Sequence, residues 1–225
     1  MYLACIFDLD GTLLNTLDTI AYFSNEALED CGHPAIPPAE YRTMVGDGAT
    51  MQLRRMMDRV AGEGRYTAEE FARLQKRYMD LYAARPTYKT EPYPGIRETL
   101  SHLKKMGVKR AVLSNKPHAW VVDIIAGLFD AGTFDLFFGQ RDGVPRKPAP
   151  GGALRIAKTL GVEPRSVLYI GDTNTDMKTG AAAGMDTAGA LWGFRTRREL
   201  EENHAVYLLD KPEEIVGVAA HGPEG

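Results

Sequence analysis

Asp8-Leu9-Asp10-Gly11-Thr12-Leu13 follows directly on the apolar run Tyr2 to Phe7, and this junction decides the fold. A short apolar run bounded by turn residues reads as a buried strand. The two carboxylates, spaced i and i+2, then stand at a strand's C-terminal end, the edge at which open α/β sheets bind ligands. Gly11 lets the backbone turn sharply and leaves room beside the acids. Taken alone, the hexapeptide also fits a strand that ends in a solvated Asp-rich turn.

Three later segments favour the ligand-binding reading. Lys109 to Leu113 leads into Ser114-Asn115-Lys116, and Val167 to Ile170 leads into Gly171-Asp172-Thr173-Asn174-Thr175-Asp176. Between them Lys147 stands in Arg146-Lys147-Pro148-Ala149-Pro150, where two prolines stop any helix and fix the chain around the lysine.

Between the first two segments the periodicity turns helical for about seventy residues. Leu17 to Cys31 ends at Gly32, Pro37-Pro38 opens a short piece through Met44, and Gly46-Asp47-Gly48 breaks it. Ala49 to about Ala61 is the next helix, and the capping-box sequence Thr67-Ala68-Glu69-Glu70 starts another that runs to about Tyr82. From Gly95 onward helices and strands alternate, with strands expected at Phe134 to Phe138, Thr187 to Leu191 and Val206 to Leu209. A helix is expected to open at Lys116-Pro117, and the tail from Gly217 is expected to be mobile. The fold class is therefore α/β, a doubly wound parallel sheet with a Rossmann-like core. Residues 1–14 and 92–225 form that core, and residues 15–91 form an inserted all-helical cap.

Composition narrows the classes of function. The 225 residues (24.8 kDa) can bury a core and still carry an insertion. A net charge of -3 and a pI near 6.0 leave no electrostatic footprint for nucleic acid or an anionic membrane. Cys5 and Cys31 read as two reduced thiols. The first apolar run lacks a preceding basic region and meets two aspartates, so it reads as neither signal peptide nor membrane span, and a cytoplasmic location is expected.

The order of acid pair, hydroxyl with amide, lysine and acid pair resembles the haloacid dehalogenase superfamily of aspartate-nucleophile phosphatases over nearly the whole chain. Cleaving a phosphate monoester needs a nucleophile, an acid for the leaving oxygen and positive charge around the transferring group. The resemblance implies Asp8 as nucleophile, forming an aspartyl phosphate, and Asp10 as the acid that later activates water. It implies Lys147 as the cation that holds Asp8 ionised. Ser114, the Asn115 N-H, Gly11 and Thr12 fall to phosphate binding.

Asp8, Asp172 and Asp176 brought together would repel one another unless a cation sat among them, and oxygen ligation with a substrate phosphate suits Mg2+. The resemblance places the Asp8 side chain, the Asp10 main-chain carbonyl and Asp172 on the ion, with Asp176 on it or next to it. The alternative for Asp176 is a plain helix N-cap. Lys116 and His118 read as solvated first-turn residues, and His33, His102, His204 and His221 as surface groups. Trp120 and Trp192 read as packing residues, with Trp192 also able to border the site.

Dehalogenases of the family this chain resembles lack the second acid, since a halide needs no proton, so the presence of Asp10 argues against dehalogenation. Phosphonate hydrolases of the same family use a cap lysine early in the insertion as a Schiff base, so the late placement of Lys76 and Lys89 argues against that chemistry. The loop Val45-Gly46-Asp47-Gly48-Ala49, with Tyr93-Pro94-Gly95-Ile96 and Trp192-Gly193-Phe194-Arg195, is similar to phosphoglycolate phosphatases, which implies 2-phosphoglycolate as substrate. Asn15 and Asp47 depart from that pattern. Gly46, Asp47 and Gly48 form either a specificity loop or a helix-breaking turn, and Asp47 either faces the substrate or caps its own helix. A β-phosphoglucomutase, a pyrophosphatase or a nucleotidase would share every core motif. A non-catalytic phospholigand sensor would be free to lose Asp8, Asp10 or Lys147, and all three are present. The expected partner is a small phosphorylated metabolite, with the protein a monomer or homodimer.

Overall fold

Ala4–Phe7 forms strand β1, buried at every position, as a central strand covered on both faces requires. The computed structural model describes residues 1–222. After β1 the chain makes the two-residue strand β2 (Leu14–Asn15), enters a helical insertion, and returns through β3 (Glu91–Pro92), which pairs antiparallel with β2. The chain divides into two compact units, Met1–Asn15 with Glu91–Gly225, and Thr16–Thr90.

The first unit alternates α5 (Ile96–Lys105), β4 (Lys109–Pro117), α6 (His118–Leu128), β5 (Leu136–Gln140), α7 (Gly151–Leu160), β6 (Val167–Gly171), α8 (Asn174–Ala182), β7 (Asp186–Ala190), α9 (Arg197–Glu202), β8 (Tyr207–Leu209) and α10 (Glu214–His221). Among the described residues its sheet has the order β5-β4-β1-β6-β7-β8, with every pairing parallel. The order reverses direction at β1, which makes its C-terminal end a topological switch point. Ala4 and Ile6 share one sheet face with Ala111, Leu113, Val167 and Tyr169, covered by Ala153, Ile156 and Ala157 of α7. Each fully buried Ile or Leu there contributes roughly 1.5–3 kcal/mol.

The second unit holds α1 (Leu17–Asp30), α2 (Tyr41–Met44), α3 (Ala49–Ala61) and α4 (Ala68–Ala84). Phe23 and Tyr82 pack at 5.2 Å between ring centroids, and Gln52 donates to Ser24 Oγ at 2.9 Å inside the bundle. Thr67 and Glu70 close the expected capping box. No described helix is long and apolar enough to cross a membrane.

Several boundaries differ from expectation. Strand β4 runs on through Ser114, Asn115 and Lys116 to Pro117, so α6 begins at His118 rather than at Lys116-Pro117. Pairing of β4 with β5 resumes at Pro117 after a register shift beyond Leu113, and β5 itself lies two residues later than Phe134 to Phe138. Gly217 to His221 belongs to α10, because Ile215 and Ala219 are buried in the core; residues 223–225 lie outside the described residues. The N-cap position of α3 is held by Gly48 and not by Asp47.

Candidate active site

The sheet order sets the C-terminal ends of β4, β1 and β6 side by side, so three of the polar segments converge by topology alone. Asp8 follows β1, Ser114 to Lys116 end β4, and Asp172 follows β6, while Lys147 arrives from the loop between β5 and α7. Asn115 clamps that loop: its Nδ2 donates to the Lys147 carbonyl at 3.1 Å and its Oδ1 accepts the Lys147 N-H at 2.9 Å.

The lysine then reaches two acids at once. Its Nζ lies 2.8 Å from Asp8 Oδ1 and 2.7 Å from Asp176 Oδ1. Asp8 Oδ1 also accepts the Leu9 N-H at 2.7 Å. Asp176 Oδ2 accepts from the Thr173 N-H and hydroxyl at 3.1 and 2.6 Å. Asp172 is held at both oxygens, by the Thr12 hydroxyl at 2.9 Å and the Phe194 N-H at 2.8 Å. Asp8, Asp172 and Asp176 are all buried, and each offers an oxygen within 4.8 Å of the other two.

Electrostatics follows from this crowding. Burial, and then the Asp176 charge, push the Asp8 carboxyl well above the usual range, against the pull of Lys147. Burial and Asp176 push Asp172 up to about 7, against the Phe194 N-H and the Thr12 hydroxyl. Burial alone would lower Lys147, but Asp176 and Asp8 outweigh it and raise the ammonium well above its ordinary value. Three acids against one ammonium in direct contact leave a buried excess of negative charge. A hard divalent cation relieves such an excess, and an all-oxygen donor set suits Mg2+, so the residues present fit that ion.

Two glycines explain how the acids pack so closely. Gly11 has φ +85°, and a Cβ there would lie 2.3 Å from Asp172 Oδ2. The room that Gly11 leaves beside the first acid pair is taken by Asp172 itself. At Gly193 a Cβ would lie 2.2 Å from Asp172 Cβ and 2.6 Å from the Gly11 carbonyl oxygen. Trp192, half-buried, donates through Nε1 to the Thr12 carbonyl at 3.0 Å. The segment 192–194 therefore locks the Gly11–Thr12 turn against Asp172. Sequence reasoning missed the Phe194 contact because a backbone N-H carries no residue signature.

Other expectations need correction. Lys116 is buried, and its Nζ lies 2.7 and 2.9 Å from the two Asp10 oxygens, because β4 extends past it instead of ending in an exposed helical turn. His118 is half-buried, and its Nδ1 accepts the Gly139 N-H at 3.1 Å. Burial, with the nearby Arg141, lowers its pKa. Asp176 is not the N-cap of α8. Thr173 is, and Asp176 closes its capping box. The Ser114 hydroxyl accepts the Lys116 N-H at 3.2 Å. In the inserted unit, Asp47 is paired with the Arg55 guanidinium, both side chains being about one third exposed.

The family model for haloacid dehalogenase-like hydrolases matches residues 5–190. The chain belongs to that family. Among its relatives, a phosphoglycolate phosphatase of Aquifex aeolicus is 33% identical over 94% of this chain and 93% of its own length. The phosphoglycolate phosphatase of Pectobacterium atrosepticum is 29% identical over 96% and 91%. A solved structure from Lactobacillus delbrueckii subsp. bulgaricus superposes with a TM-score of 0.91 at 32% identity, over 97% of this chain and 98% of that one.

Proposed function

We propose that this haloacid dehalogenase-like phosphatase hydrolyses a small phosphate monoester, 2-phosphoglycolate, through an aspartyl phosphate on Asp8. The observation that carries the reading is the single ammonium of Lys147 held between Asp8 and Asp176, with Asp172 beside them, at the switch point of the sheet. The similarity to phosphoglycolate phosphatases over most of both chains supports the substrate.

In the first step an Asp8 carboxylate oxygen attacks phosphorus in line. The ester P–O bond breaks, and Asp10 gives a proton to the departing oxygen. In the second step water attacks phosphorus while Asp10 takes its proton. The P–O bond to Asp8 breaks, releasing phosphate and restoring the carboxylate. Ser114 accepts from a backbone N-H, which leaves its own hydroxyl proton to donate to a phosphoryl oxygen. Lys147, fixed by the Asn115 clamp, keeps Asp8 deprotonated for attack and sits beside the charge that builds up there. Mg2+ held by Asp8, Asp172, Asp176 and the Asp10 carbonyl would supply the positive charge that counters the phosphoryl dianion. The Gly46-Asp47-Gly48 loop is our candidate for substrate selection, with the Asp47 charge offset by Arg55.

Phosphate release measured on a panel of phosphorylated metabolites tests the substrate. 2-Phosphoglycolate is expected to rank first in kcat/KM, and a phosphosugar or nucleotide ranking above it by tenfold would refute that assignment. Acid-quenched enzyme examined by mass spectrometry is expected to carry phosphate on the peptide containing Asp8. Undiminished turnover by Asp8→Asn excludes the covalent route.

A further inference from the structure

Lys116 meets Asp10 at both carboxylate oxygens, 2.7 Å from Oδ1 and 2.9 Å from Oδ2. The lysine is the inner partner, with its side chain 6% exposed against 20% for Asp10. The ammonium therefore takes the carboxylate from the protein side, and each oxygen keeps a lone pair on its outward edge. Without this contact, an Asp side chain at the rim of a turn would be free to change rotamer.

Lys116 is itself fixed. Its N-H is bonded to Ser114 Oγ at 3.2 Å, and β5 packs so closely on it that a Cβ at Gly139 would lie 2.6 Å from the Lys116 carbonyl oxygen. Asp10 is thus anchored to the neighbouring strand, 106 residues away in the chain.

We infer that Lys116 is a positioning residue for the reaction: by gripping both Asp10 oxygens from behind, it holds the outward edge of that carboxyl toward the leaving oxygen. This rests on the reading of Asp10 as leaving-group acid. The proton moves from Asp10 to the ester oxygen as the P–O bond breaks, and the bonding pair stays on that oxygen. Lys116 gives up no proton and acts only through Asp10, not on phosphorus or the leaving oxygen. Its loss is felt where protonation of the leaving group matters, and hardly at all where the leaving group is stable as an anion.

The test compares kcat/KM on two esters, because this constant reports the enzyme's steps only through phosphoryl transfer. One is 2-phosphoglycolate, whose alkoxide must be protonated, and the other p-nitrophenyl phosphate, whose phenolate need not be. Lys116→Met is expected to lower the first by about tenfold or more and the second by no more than about threefold. Lys116→Arg, which keeps a cation in reach, is expected to recover part of the loss. In an Asp10→Asn background Lys116→Met is expected to add nothing, since it acts only through Asp10.

Lys116→Met slowing both esters alike, or neither, while Asp10→Asn still discriminates between them, overturns the inference and leaves the acid role of Asp10 standing. If Asp10→Asn itself slows both esters equally, the acid role falls first and the inference with it. If Lys116→Met does not fold, the double variant decides, because it removes both charges together. Parity with Asp10→Asn supports the inference, and a further loss on 2-phosphoglycolate overturns it.

Discussion

Lys147 and Asp8 touch at 2.8 Å, yet the carboxyl of Asp8 remains shifted well above its usual range while the ammonium of Lys147 is raised. The contact favours the charged form of both partners, but at Asp8 burial and the Asp176 and Asp172 charges outweigh it.

Cutting this contact from its two ends therefore has opposite effects on stability. In metal-free protein Asp8→Asn is expected to raise the melting temperature, since it removes a buried charge that its surroundings oppose. Lys147→Met is expected to cost about 3–5 kcal/mol, since it leaves two buried acids without their ammonium. Both variants are expected to lose turnover by on the order of 10³-fold or more. Melts in excess chelator check the signs, and a stabilised Lys147→Met would contradict the electrostatic account.

Asp172 sets a pH dependence. Its carboxyl sits at about 7 in the folded protein against 3.8 in a free chain, so between those values the folded state binds more protons than the unfolded one. Stability of the metal-free protein then falls as pH rises from about 4 through 7, and levels off above. Saturating Mg2+ is expected to flatten this slope, because the ion binds the deprotonated acids. Thermal melts at fixed ionic strength, with and without Mg2+, read both effects. A metal-free protein that gains stability over this range would be incompatible with the site described.

Thr12 was a candidate phosphate ligand, but its hydroxyl is spent on Asp172 Oδ1. Thr12→Val keeps the shape and removes that donor. It is expected to raise the Mg2+ concentration for half-maximal activity about 10–100-fold, with the substrate KM at saturating metal nearly unchanged. A KM effect without a metal effect would return Thr12 to the phosphate.

Gly193→Ala tests the packing of segment 192–194. A Cβ at 2.2 Å from Asp172 Cβ and 2.6 Å from a backbone oxygen forces either the turn or the acid to move. The expected cost is about 1–3 kcal/mol, with weaker Mg2+ binding alongside it. A variant as stable and as metal-dependent as the parent would show that the segment yields easily.

Much of this was legible because the acids and the lysine are side chains at the ends of strongly patterned segments. Asp8, Asp172, Asp176 and Lys147 could be singled out one by one, and the parallel strand order then brings them together. The helix Ala49–Ala61 could be read closely, since glycines bound it at both ends. Lys116 could not. Pro117 reads as a helix start, and nothing in Ser-Asn-Lys-Pro signals that a strand continues past an irregular register to its next pairing. The Phe194 N-H is a backbone donor and invisible to residue type. Strands β2 and β3, two residues each, are too short for any period to register.

That short ribbon has a consequence for how such a protein can change. Leu14 pairs with Pro92 and Asn15 with Glu91, so the insertion leaves and rejoins the sheet-bearing unit at neighbouring backbone positions. Seventy-five residues hang from a doorway one strand spacing wide, and the order of the parallel sheet is indifferent to what passes through it. The helical part is in this sense a graft: every contact described above for Asp8, Lys147 and Asp172 is made by residues of the sheet-bearing unit itself.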